Sequence, residues 1–233
     1  MYKLLYQNKI IIFLALLCIV YISYKIYNKN SKILQDKLSE SSSSSIILQK
    51  KEKTKNTTSI LPDPRKRIQN IHNDIKYLQH LTNNRNDEHI RLITKYDKEP
   101  ENYFINLCKE KKIKFDKQKL SNLVKYIENI SKVIKNKYKI PRPYQLAKKL
   151  NLNINNLAKP STFSYPCGKV LKSKILSHYF SYIDARYDYE FQQITKDIEL
   201  ACLYAGINTP FDIRGSLLLS QKVMEKKILK KFI

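Results

Sequence analysis

The chain is short of the residues that build sheets and metal ribbons. Only three of its 233 residues are glycine, and β-branched alternation and Asn-Gly turns are scarce, which argues against hairpins and a sheet. Its four cysteines, Cys18, Cys108, Cys167 and Cys202, are dispersed without a Cys-x-x-Cys spacing. That excludes a zinc ribbon, and no cofactor or metal is expected. After one apolar run near the start, no further stretch is apolar for long enough to cross a bilayer, so a many-pass membrane protein is excluded. Neither an internal repeat nor a recognised nucleic-acid motif is present.

Acidic residues are also few: 20 against 44 Lys and Arg, for a net charge of +24. Such a field draws anionic lipid, nucleic acid or polyphosphate through long-range attraction and counterion release. The lysines are spread over the whole chain and form no single basic stripe, so nucleic acid is not the favoured partner. The Lys, Ile and Asn richness also fits the codon bias of an AT-rich genome, such as that of a large DNA virus. Anionic membrane lipid is the simplest partner, at about 1 kcal/mol for each lysine close to the leaflet.

Three regions follow from composition. Ile10 to Tyr24 is apolar and bounded by Lys9 and Lys25. The run is short for a hydrocarbon core of roughly 30 Å, but flanking lysines can snorkel, and Tyr21, Tyr24 and Tyr27 suit an interface. No small-x-small cleavage site follows, so residues 1–27 read as an uncleaved single-pass anchor and the protein as membrane-bound. Lys25, Lys29, Lys32 and Lys37 outnumber Lys3 and Lys9, which places the carboxyl-terminal part in the cytosol. The glycosylation acceptors Asn56-Thr57-Thr58 and Asn129-Ile130-Ser131 speak for the opposite side. Residues 28–67 read as a linker, with a serine run from Ser41 to Ser45, a breaker at Leu61-Pro62-Asp63-Pro64 and at most a short helix around Lys32 to Leu38.

Residues 68–233 turn helical. Ile68, Ile71, Ile75, Leu78 and Leu81 recur at helical spacing, as do Leu120, Leu123, Val124, Ile127, Ile130, Val133 and Ile134, a run that must stop before Pro141. Tyr144 to Leu150, Val170 to Ala185, Phe191 to Ala205 and Phe211 to Lys227 complete the set, with a break at Gly206 to Pro210. The expected architecture is all-α: one helical bundle long enough to enclose a core.

Three segments in order carry a resemblance. Lys135 is followed after six residues by Arg142-Pro143. Pro166-Cys167-Gly168-Lys169 follows the lead-in Pro160-Ser161 and Ser164-Tyr165. Ala201-Cys202, Asn208 and Asp212 repeat a spacing of five and three intervening residues. The frame resembles the three motifs of the type 2 phosphatidic acid phosphatase and vanadium haloperoxidase superfamily, which read Lys-x6-Arg-Pro, Pro-Ser-Gly-His and Ser-Arg-x5-His-x3-Asp. It covers about Glu101 to Met224 and implies a helical bundle whose motifs meet at one end, preceded here by the anchor.

The resemblance implies a division of labour. The His of the third motif attacks phosphorus, the Asp after it orients the ring, and the His of the second motif protonates the leaving oxygen. Lys, both Arg and the backbone N–H groups beside the Gly hold the phosphate oxygens. In this chain the nucleophile position is Asn208, whose amide nitrogen has no basic lone pair. The acid position is Lys169, a poor proton donor at its ordinary pKa near 10.4. The second Arg is Cys202, Asp212 has lost its imidazole, and none of His72, His80, His89 and His178 falls on a motif position. Lys135, Arg142, Lys169 and the Gly168 backbone remain as a phosphate cradle at an expected helix start, with Cys167 beside it.

Three functions stay open on the sequence alone. One is a membrane-anchored pseudophosphatase that holds a phosphate-bearing ligand or anionic lipid without cleaving it. Another is a working phosphomonoesterase that uses Cys167 or Lys169, Cys167 being a thiol whose place at a helix start beside a lysine would favour its thiolate. A basic tether for nucleic acid or a scaffold is a third. For Lys135 and Lys169 the plain alternative is solvated surface lysine, for Asp212 a helix-capping carboxylate, and for Cys108, Cys167 and Cys202 a small buried hydrophobe.

Overall fold

The computed structural model describes residues 68–225 together with 231 and 232. The expected anchor, linker and short linker helix lie outside these residues. The described residues form eight α-helices and the 3-10 turn Ala185–Tyr187, with no strand among them. They run α1 Ile68–Asn83, α2 Asp87–Lys95, α3 Pro100–Glu110, α4 Lys117–Tyr138, α5 Pro143–Lys149, α6 Gly168–Ile183, the 3-10 turn Ala185–Tyr187, α7 Asp188–Tyr204 and α8 Pro210–Glu225. None of them is long and apolar enough to cross a membrane.

Helix α6 is the axis of the bundle. Val170, Leu171, Ile175, Leu176, Tyr179 and Phe180 are buried around its circumference, as a helix enclosed by its neighbours requires. Helices α3, α4, α7 and α8 pack on it. Phe104 of α3, Phe180 of α6 and Phe191 of α7 stack with ring centroids 5.5 to 6.0 Å apart at the centre of the core. On α4 the buried line runs through Leu120, Leu123, Ile127, Ser131 and Tyr138. Val133 belongs to the sequence periodicity of that helix but sits on its outer face, 64% exposed.

The helix ends follow from their caps. Asp116 Oδ1 accepts from the amides of Gln118 and Lys119 and starts α4. Asn86 and His89 form a reciprocal cap on α2. This helix and α3 were not anticipated from periodicity. α2 has no buried residue, and α3 buries only Pro100, Phe104 and Cys108, so neither carries a long apolar stripe.

Helix α7 stops where the sequence breaks, by a paired C-terminal turn. The Gly206 amide donates to Leu203 O at 2.9 Å and the Ile207 amide to Cys202 O at 3.3 Å. Gly206 has φ +71, and a Cβ there would lie 3.0 Å from Ile154 Cγ2 and 3.2 Å from Asn156 Cα. Glycine is required by conformation and by space alike. This turn delivers Asn208 and Thr209 to the start of α8.

Candidate functional site

Three elements bring the motif residues together. Pro143 opens α5 at its first turn, and Gln145 Oε1 accepts the Arg142 amide at 2.9 Å, which fixes Arg142 just outside the helix. Cys167 is the residue before α6, so the first amides of that helix, beginning at Gly168, lack intrahelical partners. The turn after α7 supplies Asn208. A cleft of about 570 Å³ is lined by Lys135, Arg142, Cys167, Gly168, Lys169, Cys202 and Asn208. Seven of the eight residues singled out from the sequence thus share one cavity wall. The eighth, Asp212, is buried next to Asn208 and does not line this cleft.

The cations are held in different ways. Lys135 Nζ donates to the carbonyls of Phe163 and Ser164. Burial and the neighbouring Arg142 pull its pKa down to about 8. Arg142 is buried; its Nε donates to Thr162 O at 2.7 Å, Nη2 to Thr162 Oγ1 at 2.9 Å and Nη1 to Ile207 O at 2.9 Å, with Asn208 Oδ1 at 3.4 Å. Lys169 reaches across to Tyr96 O at 3.2 Å and Asp97 O at 2.6 Å, beyond the end of α2. An ammonium carries three donors and a guanidinium five. Each of these side chains therefore keeps donor capacity beyond its bonds to protein.

Asn208 is 2% exposed. Its Nδ2 donates to Ser164 O at 3.0 Å, with Asp212 Oδ2 at 3.5 Å. Asp212 Oδ2 accepts from Ser164 Oγ at 2.6 Å and from the Thr209 amide at 2.8 Å, while Thr209 Oγ1 accepts from the Asp212 amide at 3.3 Å. Thr209 and Asp212 thus form a reciprocal cap at the start of α8 that also pins the Ser164 loop to the bundle. The arrangement contains no imidazole and no other basic nitrogen at the position of Asn208.

Cys167 and Cys202 face each other with their sulfurs 3.7 Å apart, both buried. The hydrogen bond with Cys202 lowers the Cys167 pKa against the opposing effect of burial, and the Val170 amide and Lys135 lower it further. The cation that favours a Cys167 thiolate is Lys135, where the sequence pointed to Lys169. The same bond and burial raise Cys202. Cys108 packs in the main core, where burial pushes its thiol up to about 11.

Periodicity and motif spacing missed Lys172. One turn beyond Lys169 on α6, it is buried and meets Glu128 at 2.7 Å, Glu99 at 2.8 Å and Glu101 at 3.2 Å. Burial works against its charge, yet the bonds to Glu128 and Glu99 and the charge of Glu101 hold its pKa above the ordinary lysine value. Its ammonium occupies the centre of the three carboxylates, so they are not a vacant metal site. The only signal in the sequence was its place three residues after Lys169 on the same helix face.

No family profile matches the chain, and no curated protein matches it. A solved structure does. The backbone is similar to that described as the crystal structure of the first transmembrane PAP2 type phosphatidylglycerolphosphate phosphatase from Bacillus subtilis. The TM-score is 0.50 at 14% sequence identity, over 69% of this chain and 84% of that one. At that identity the likeness is one of fold: an all-helical bundle of the phosphatidic acid phosphatase type.

Proposed function

We propose that this protein is a pseudophosphatase whose cleft retains a phosphate-bearing ligand, such as the headgroup of an anionic lipid, without hydrolysing it. One observation carries the reading: Lys135, Arg142, Gly168 and Lys169, the last two with amides that lack intrahelical partners, line a single cleft together with Asn208 at the position of the attacking imidazole. Cations and helix-start amides suit phosphate oxygens. An amide nitrogen bonded to Ser164 O cannot attack phosphorus. Five cationic side chains, Lys132, Lys135, Arg142, Lys169 and Lys172, line the cavity against the two carboxylates Glu99 and Glu128. Lys169 acts as a tie between α6 and the chain after α2, not as a proton donor.

In this reading residues 1–27 anchor the chain in a membrane, residues 28–67 form a linker and residues 68–233 hold the ligand-binding domain near the leaflet. The apolar run from Ile10 to Tyr24 and the charge of +24 support that arrangement.

The test is calorimetric titration of the full chain with inorganic phosphate and with vesicles containing phosphatidic acid, alongside an assay with p-nitrophenyl phosphate. Binding without turnover is expected. Turnover that disappears in Cys167→Ala would replace this reading with that of an active phosphomonoesterase.

A further inference from the structure

We propose that Cys167 and Cys202 form a reversible dithiol–disulfide pair in the wall of the cleft, and that closing it strengthens the site's hold on a phosphate group. The second half rests on the phosphate-binding reading above.

Geometry carries the pairing. Cys167 stands before the first residue of α6 and Cys202 in the last turn of α7, and their sulfurs are 3.7 Å apart. A disulfide spans about 2.05 Å, so closing the pair requires the sulfurs to approach by roughly 1.7 Å. Both side chains line the cleft, which gives a small reagent its route to two otherwise buried sulfurs. Cys108 belongs to a separate part of the core and has no such neighbour among the described residues.

Chemistry sets the order of events. The thiolate is the attacking species. Cys167 is the sulfur favoured as thiolate, and Cys202 is the one that keeps its proton. With a low-molecular-weight disulfide such as glutathione disulfide as oxidant, Cys167 S⁻ attacks one sulfur and expels one glutathione thiolate, which leaves a mixed disulfide on Cys167. Cys202 gives its proton to the released thiolate, attacks the Cys167 sulfur and expels the second glutathione as thiolate. Two protein sulfurs are oxidised to one disulfide and one glutathione disulfide is reduced to two glutathiones. Charge is conserved, because one thiolate enters and one leaves.

The charge inside the cleft changes sign-wise in favour of phosphate. Cys167 and Lys135 line the same cleft, and any thiolate formed at Cys167, whose ionisation Lys135 favours, competes with a phosphate for that cation. The disulfide is neutral and leaves Lys135 and Arg142 for the ligand. By linkage, phosphate must in turn favour the oxidised pair and lower its midpoint potential.

The experiment equilibrates the full chain in mixtures of reduced and oxidised glutathione, quenches with acid, alkylates, and looks by peptide mass spectrometry for a Cys167–Cys202 linkage. Phosphate affinity is titrated on the same samples. The expected result is a linked peptide and phosphate binding tighter by about fivefold or more in the oxidised protein, at the low end of ordinary coupling. In Cys202→Ser the affinity should no longer respond to the glutathione ratio; if that variant fails to fold, Cys167→Ser serves. Persistence of both thiols, or glutathione adducts without the linkage, overturns the pair. A linkage with equal phosphate affinity in both states overturns the coupling. A linkage with phosphate binding in neither state supports the pair and overturns the phosphate-binding reading instead.

Discussion

Asp212 Oδ2 lies 3.5 Å from Asn208 Nδ2, and the same oxygen accepts from Ser164 Oγ and the Thr209 amide. The carboxylate is thus bound to the fold through α8 and the Ser164 loop, independently of any imidazole. A residue that looks like a remnant of catalysis has a structural task, which gives a physical reason for an aspartate here whether or not the site turns over.

Asp212→Ala therefore removes a buried acceptor from two short bonds and a helix cap. Hydrogen bonds to a buried charge are worth roughly 1.5–3 kcal/mol each, and a lost cap about 1 kcal/mol. We expect a loss of about 3 kcal/mol in urea unfolding. An unchanged denaturation midpoint would show that the Ser164 loop is held by other contacts.

Lys135 gives a pH signature. Its folded pKa of about 8 lies below its ordinary value of 10.5, because burial and Arg142 disfavour the charge. Between these values the unfolded chain binds more protons than the folded one, so stability rises with pH across the window. Phosphate affinity moves the other way. It is expected to fall as pH rises through 8, where the ammonium is lost, and Lys135→Met should flatten that decline. Titration calorimetry in buffers from pH 7 to 9.5 measures the affinity, and urea unfolding over the same range measures the stability.

Lys172→Met leaves Glu99, Glu101 and Glu128 around an uncharged side chain. The two carboxylates nearest the ammonium are about half exposed, at 59% for Glu99 and 53% for Glu128, so solvent absorbs part of the repulsion. A loss on the order of 2 kcal/mol is expected, below the usual range for breaking a fully buried pair. Partial recovery of the melting temperature at acidic pH, where the carboxylates protonate, would identify repulsion as the cause.

Gly215→Ala tests the packing of α8 against the Ser164 loop. A Cβ at Gly215 would fall 2.2 Å from Tyr165 Cε2 and 2.7 Å from its Cζ, in a ring that is itself fully buried. The ring cannot swing into solvent, so overpacking should cost about 3 kcal/mol. Tyr165→Leu in the same chain should restore part of the melting temperature.

The helical class was legible in the sequence because α1, α4 and α6 to α8 carry apolar residues at helical spacing and end at Gly206, Pro141 or comparable breakers. Helix α2 was not legible, since it has no long apolar stripe: it is held by the Asn86 cap, the stacking of His89 on Tyr204 with centroids 3.7 Å apart, and a short contact through Leu92. At the site, motif spacing named seven residues that share the cleft, because a fixed number of residues along a helix or turn fixes a direction in space. It could not rank the lysines. Lys135, Lys169 and Lys172 look alike in a chain with this many basic residues, yet one is partly desolvated, one ties two backbone segments and one is enclosed by carboxylates.

Local patterning along the chain thus suffices for helix type, helix limits and the spacing that puts cations, cysteines and Asn208 in register. That information is short-range: propensity, caps and periodicity act over a few residues. Which lysine keeps a low pKa, that Asp212 is buried outside the cleft lining, and that Cys167 meets Cys202 across 35 residues all came from folding. Burial and pairing are properties of the space between helices, and α6, enclosed by its neighbours, defines that space here.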